Sequence, residues 1–232
     1  MLFLYNDPSA PEAMLGDAFS EYGYDIEVFE VVTAAQAADP AFDATFPDPR
    51  SYDVIVPLGS RWSVTDGDRG MTWITSEAAM VRDAHAAGVP MLGVCFGGQL
   101  IAHALGGSVS RSPAPEIGWY DVDSSQPDLV ASGPWFEWHF DRFTVPDGAV
   151  EIARNGSASQ AFVLGRTMGI QFHPEVDEGV LEMWLAGEGG AEIAQLDRTA
   201  DQLRSGTTRE LDSATKRVHA LVRAFVDTVA QG

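Results

Sequence analysis

A single cysteine, Cys95, stands among 232 residues, so no disulfide can close within the chain. That points to a reducing compartment, and the cytoplasm is the expected location. Lysine is nearly absent too, with Lys216 alone beside thirteen arginines. The 14 basic residues face 34 acidic ones, for a formal charge of −20. Such a surface repels phosphate backbones and anionic lipid, so neither nucleic acid nor a membrane is an expected partner. The first residues lack the basic start and long apolar region of a signal peptide. There is no G-x-x-x-x-G-K-[ST] phosphate loop and no paired His or Cys spacing for a metal. No cofactor and no metal are therefore expected. The uncharged stretch 89–107 is broken by Pro90, Gln99, His103 and glycines, and reads as strand, sharp turn and buried helix, not a membrane span.

What is present suits one large α/β domain: 45 % of residues are hydrophobic and 10 % aromatic. Short apolar runs at 2–5, 24–32, 52–58 and 90–94 predict strands. Helical spacing at 11–22, 71–87 and 96–105 lies between or after them. Alternating strand and helix predict an open, mostly parallel sheet with helices on both faces. Segments 118–122, 135–138, 150–155, 161–164 and 168–172 predict further strands, the last three as a meander, and make a small antiparallel addition. The chain is expected to form one domain over 1–232, with a helical C-terminal extension from about 178 and a helix break near Ser205 and Gly206.

The chemistry centres on Gly93-Val94-Cys95-Phe96-Gly97-Gly98-Gln99, which follows a buried strand and opens a helix. This is the nucleophile-elbow spacing, with Cys as nucleophile. A tight strand-to-helix turn lifts the side chain above the sheet, and Gly93 and Gly97 let the neighbouring backbones approach. The positive end of the helix behind Cys95 favours an anionic sulfur, and the N–H of Phe96 is placed to bind an oxyanion. A buried, inert cysteine in a glycine-rich turn would read the same in isolation. A thiol nucleophile also needs a base, and the base an orienting group. His85, His103 and His219 fall inside expected helices and read as structural. His173 instead ends an apolar strand, where open α/β sheets bind ligands, and Glu175 follows one residue beyond Pro174.

Taken together, the Cys95 elbow and Gln171-Phe172-His173-Pro174-Glu175 some eighty residues later resemble the class I (triad) glutamine amidotransferase family. The segments Val56-Pro57-Leu58-Gly59-Ser60, Glu116-Ile117-Gly118-Trp119 and Trp138-His139-Phe140-Asp141 are similar to its oxyanion loop, its glutamine-holding segment and its His-containing stretch. The resemblance implies a flavodoxin-like sheet. It also implies Cys95, His173 and Glu175 as catalytic residues, and backbone N–H groups of Gly59 and Phe96 as the oxyanion hole. Gln99, Gly118, Trp119, Trp138 and His139 would contact substrate. The sequence departs from the family pattern at Ser60, where a second glycine is usual, and at Phe140, where a small residue is usual.

On that resemblance the expected activity is hydrolysis of the glutamine side-chain amide, or a γ-glutamyl amide, through a cysteine thioester. Ammonia would pass to a separate synthetase partner. The length and the Trp138–Asp141 stretch suit stand-alone members similar to the amidotransferase part of GMP synthase. A stand-alone γ-glutamyl peptidase and a non-catalytic binding or regulatory homologue are the alternatives. Two other elbow folds fit less well. One usually has His directly after its Cys, where Phe96 stands here. The α/β-hydrolase order places the acid before the His, whereas Glu175 follows His173.

Overall fold

The computed structural model describes residues 1–231. Strands β1 (Leu2–Tyr5), β2 (Glu27–Glu30), β3 (Ile55–Pro57), β4 (Met91–Val94) and β9 (Thr167–Ile170) pair in parallel, in the order β2-β1-β3-β4-β9. Beyond β9 the same sheet continues antiparallel through β8 (Ser159–Leu164), β7 (Val150–Arg154), β5 (Val109–Ser124) and β6 (Gly133–Phe143). Four of its eight pairings are therefore parallel and four antiparallel, which corrects the expected mostly parallel sheet. The cause is the spacing of strands after Val109. A parallel crossover needs a dozen or more residues, usually a helix, and no helix lies between β5 and β9. The β8–β9 link is a tight turn with Gly165 at φ +57°.

Helices cover both faces, as expected. Side chains alternate along β1: Phe3 packs with Leu15 and Phe19 of α1 (Ala13–Glu21), while Leu2 and Leu4 pack with Trp73, Ile74 and Val81 of α2 (Thr72–Ala86). Helix α3 (Phe96–Ala104) adds Leu100 and Ile101 to the second side. Short helices α4 (Glu178–Trp184) and α5 (Gly190–Ala194) cover Ile117 and Phe136 of the β5–β6 ribbon. The described residues contain no helix long and apolar enough to cross a membrane.

Helix α6 (Ala200–Ala224) runs unbroken through Ser205 and Gly206, where a break was expected. Gly206 serves packing instead: a Cβ there would lie 3.1 Å from Trp119 Cδ1, and Trp119 Nε1 donates to Thr207 Oγ1 (3.1 Å). The interruption falls before Thr199, whose hydroxyl accepts from Gln202 N (3.2 Å) while Gln202 Oε1 accepts from Thr199 N (2.9 Å). This capping box starts the helix. Thr199→Ala is expected to lower stability by about 1 kcal/mol in urea unfolding with little effect on any activity. Further along, Val218, Leu221 and Val222 join the core of α1 and the sheet, so α6 is built into the main core and is not an appendage.

Candidate active site

Strand β4 is buried throughout, and its register with β9 sets Gly93 beside Gly169 and Val94 beside Ile170. The ladder ends where Cys95 N donates to Ile170 O (2.9 Å). Cys95 then turns sharply, with φ +51° and ψ −106°, a region an L residue occupies only under strain of about 1–3 kcal/mol. Its carbonyl already accepts from Gln99 N (2.9 Å), so Cys95 is the N-cap of α3. The turn closes because a Cβ on Gly93 would stand 2.5 Å from Gly97 O, and one on Gly97 would overlap Pro57 O. Phe96, the first residue of α3, has no helical acceptor for its N–H.

The sulfur is nearly buried. It lies 3.8 Å from Trp138 O, to which the thiol can donate, and Gln171 Nε2 donates to it at 3.7 Å. Gln171 is held in turn by Gln99, whose Nε2 donates to Gln171 Oε1 (3.2 Å) and Asp141 O (3.1 Å). Gln99 therefore reaches the cavity with an acceptor oxygen.

His173 lies three residues past β9, fixed by its N–H to Phe136 O (2.7 Å). Its Nδ1 lies 2.6 Å from Glu175 Oε1, and both side chains are buried. A carboxylate only accepts, so Nδ1 donates to it and Nε2 is the ring nitrogen left for proton exchange. The Trp184 indole meets the imidazole edge-on, with ring centres 4.9 Å apart. Burial alone would lower the pKa of His173, but the charges of Glu175 and Cys95 outweigh it and hold the value well above normal. Gly59 closes the group: a Cβ there would be 3.2 Å from His173 Cε1 and 4.0 Å from Cys95 Cβ.

These residues meet at one cavity of about 370 Å³. Gly59, Cys95, Phe96, Gln99, Trp138, His139 and His173 all line it, and Glu175 sits behind His173. Gly118 and Trp119 are not among the residues that line it. Gly118 pairs with Glu137 in the β5–β6 ribbon, and the Trp119 ring packs edge-on against Phe136, 5.5 Å between centres, and bonds to α6. A strand's side chains alternate between two faces, and nothing local in this segment says which face is the site's.

The structure adds residues that no sequence motif marks. The rim carries Arg61, Arg111, Glu188 and Glu192. Arg61 grips buried Asp7 with two hydrogen bonds (2.6 and 3.0 Å). Burial would raise the Asp7 carboxyl, but bonds from Arg61 and Ser9 prevail and hold it below its usual value. Arg111 stacks on Phe140 at 4.6 Å, so the unexpected aromatic becomes a platform for a cation. Deeper in, His139 Nδ1 faces Asp141 O (2.9 Å), and its Nε2 lies 3.2 Å from Glu116 and 3.4 Å from Glu137. Burial opposes its protonation, yet bonds to Glu116 and Glu137 prevail and raise His139 to about 10. His139 and Glu116 lie in segments that the sequence marks, whereas Glu137 stands just outside them.

Comparison with known proteins gives a consistent picture. The family model for class-I glutamine amidotransferase matches residues 12–185. A GMP synthase (glutamine-hydrolyzing) from Aeropyrum pernix is 32 % identical over 165 residues, 65 % of this chain and 32 % of that protein. The chain thus spans about a third of the length of that relative. One subunit of a GMP synthase (glutamine-hydrolyzing) from Saccharolobus solfataricus is 34 % identical over 137 residues, 55 % of this chain and 69 % of that one. In fold, a glutamine amidotransferase of Thermotoga maritima superposes with TM-score 0.84 at 23 % identity, over 98 % of this chain and 97 % of that one. One from Methylobacillus flagellatus gives 0.85 at 24 % identity, over 99 % and 94 %.

Proposed function

The chain belongs to the class-I glutamine amidotransferase family, and from that premise we propose that Cys95, His173 and Glu175 hydrolyse the side-chain amide of glutamine. One observation carries the reading: a cysteine on a strained elbow shares a cavity with an imidazole whose far nitrogen is held 2.6 Å from a buried carboxylate. In this reading 1–232 is one amidotransferase domain.

The proposed steps are those of acyl transfer through a thiol nucleophile. His173 takes the Cys95 proton on Nε2, and Glu175 stabilises the resulting imidazolium. The thiolate adds to the amide carbon, and the oxyanion is bound by the N–H groups of Gly59 and Phe96. Donors of this kind contribute about 3–4 kcal/mol each to the transition state. His173 returns its proton to the nitrogen, the C–N bond breaks, and ammonia leaves a γ-glutamyl thioester. Water, deprotonated by His173, attacks the thioester, releasing glutamate and the thiol. The rim offers guanidinium and carboxylate groups together, as the zwitterionic end of an amino acid requires. Since one relative is named as a single subunit of a GMP synthase, ammonia delivery to a separate synthetase partner is the proposed use.

Glutamate release from glutamine by the purified protein, with and without a synthetase partner, tests this. Glu175→Gln is expected to lower kcat roughly 10²–10⁴-fold with KM little changed, because it weakens orientation and charge on His173 but removes no substrate contact. A kcat within threefold of wild type would remove Glu175 from the triad. A γ-glutamyl amide with a larger leaving group is the second reading, favoured by a cavity of about 370 Å³, the size range that encloses drug-like ligands. Turnover of γ-glutamyl dipeptides with none of glutamine would decide for it.

A further inference from the structure

Asn6 and Glu77 are both completely buried, and each leaves one oxygen without a partner: Asn6 Oδ1 and Glu77 Oε2. Their other atoms are joined, with Asn6 Nδ2 donating to Glu77 Oε1 (3.1 Å). The amide N–H thus meets one carboxyl oxygen, and the two unpartnered oxygens are the remaining halves of the same pair of groups. A carboxylate cannot resolve this, because both oxygens only accept. A carboxylic acid can: a proton on Oε2, donated to Oδ1, closes a ring of two hydrogen bonds and satisfies both atoms.

The pair sits against the loop proposed to bind the oxyanion. Asn6 Nδ2 also donates to Leu58 O (3.3 Å), and Asn6 O accepts from Ser60 Oγ (3.0 Å). Asn6 therefore holds the chain on both sides of Gly59, and its own amide plane is set by Glu77.

We propose that Glu77 is a carboxylic acid in the folded protein, ring-paired with the Asn6 amide, and that this pair positions the Gly59 loop. Glu77 is a positioning residue that acts through Asn6, and its effect on catalysis rests on the amidotransferase reading above. Burial acts in the same direction, raising Glu77 to about 8 against the smaller pull of the Asn6 bond. Packed against α2 are β1, β9, α3, the turns Val64–Arg69 and Pro49–Ser51, and the segment at Phe42 and Asp43. Their ionisable groups are Tyr5, Asp43, Arg50, Asp66, Asp68, Arg69 and His103, those of α2 itself are Arg82, Asp83 and His85, and Asp7 follows Asn6 in the chain already paired with Arg61. None of them contributes to the ionisation of Glu77, whose causes are burial and Asn6 alone.

Glu77→Gln tests the pair, since its amide keeps both bonds and has no proton to lose. Wild-type kcat for glutamine should fall beyond pH about 8, up to about tenfold per pH unit, with KM unchanged. In Glu77→Gln that alkaline loss should disappear, with kcat near neutral pH within about threefold of wild type. Glu77→Leu, which orphans the Asn6 amide, should lose kcat about tenfold at every pH. Stability gives a second measurement. The folded protein keeps a proton that the unfolded chain releases above its ordinary value of 4.5, so wild type loses stability as pH rises from there toward about 8. Glu77→Gln should therefore melt higher than wild type at pH 8, with the gap closing toward pH 5. A third needs no turnover: the wild-type minus Glu77→Gln infrared difference spectrum near neutral pH should contain a protonated-carboxyl stretch. Superimposed pH profiles, or absence of that band, would overturn the proposal. The band present in a protein that never turns over glutamine would uphold the pair and count against the amidotransferase reading instead.

Discussion

Replacing Cys95 by Ser is expected to reduce glutamate release from glutamine roughly 10⁴-fold or more, equivalent to about 5.5 kcal/mol or more of lost transition-state stabilisation. The alcohol is a far weaker acid than a thiol, so His173 no longer generates a nucleophile at neutral pH. The fold should survive, since Ser presents one hydroxyl where the thiol sat between Trp138 O and Gln171 Nε2. The measurement pairs turnover with labelling by a glutamine analogue carrying an electrophile at the γ position. Wild type should gain one adduct, mapped to Cys95, the only thiol in the sequence, and Cys95→Ser should gain none. A variant retaining more than about 1 % of wild-type kcat, or a label mapped elsewhere, would take Cys95 out of the nucleophile role.

The second large effect is structural. Gly97→Ala should destabilise the protein by about 3 kcal/mol or more, or prevent soluble expression altogether. A Cβ at this position runs into the backbone oxygen and carbon of Pro57, and into Pro57 Cβ at 2.9 Å. Backbone in the middle of a parallel sheet cannot swing aside as a side-chain tip can, so either β3 or the elbow must shift. Both carry the site: β3 leads into the Gly59 loop, and the elbow bears Cys95. Any folded fraction should therefore be impaired in kcat as well. Gly156→Ala is the control, because a Cβ there meets nothing within 4 Å, and its urea midpoint should change by no more than about 0.5 kcal/mol equivalent. Equal midpoints for the two variants would mean that close approach at Gly97 is not what the elbow depends on.

The parts of the site that could be read from sequence are those whose geometry is local. The elbow spans seven consecutive residues, and His173 and Glu175 are two apart, so a short pattern encodes each. Side-chain direction on a long strand is not local in this sense. Gly118 and Trp119 lie in β5, and their facing is decided by α6, more than eighty residues later, through Thr207. The rim arginines and glutamates are invisible for a related reason: Arg61 and Glu188 meet only in the folded chain, 3.8 Å apart. Strand existence is legible throughout, but the balance of the sheet is not, because run lengths do not reveal which neighbour a strand will choose. Asn6 looks like an ordinary strand terminator and Glu77 like one more polar residue of a helix. Only burial distinguishes them.

The packing of α6 against α1 has a consequence for how the protein is made. Phe3, Leu15 and Phe19 share one core cluster with Val218, Leu221 and Phe225, about 200 residues away in sequence. Translation releases roughly 5–20 residues per second from the N-terminal side. One face of the emerging sheet therefore stays bare for about ten seconds or more after β1 has left the ribosome. Contacts so distant in sequence form slowly, because loop closure precedes any reward from burial. During that interval strands β3 and β4, which lead to Gly59 and Cys95, expose Val56, Leu92 and Val94. Cells making this protein are thus expected to need chaperone protection of the nascent sheet, and yield should fall sharply for chains truncated ahead of Val218.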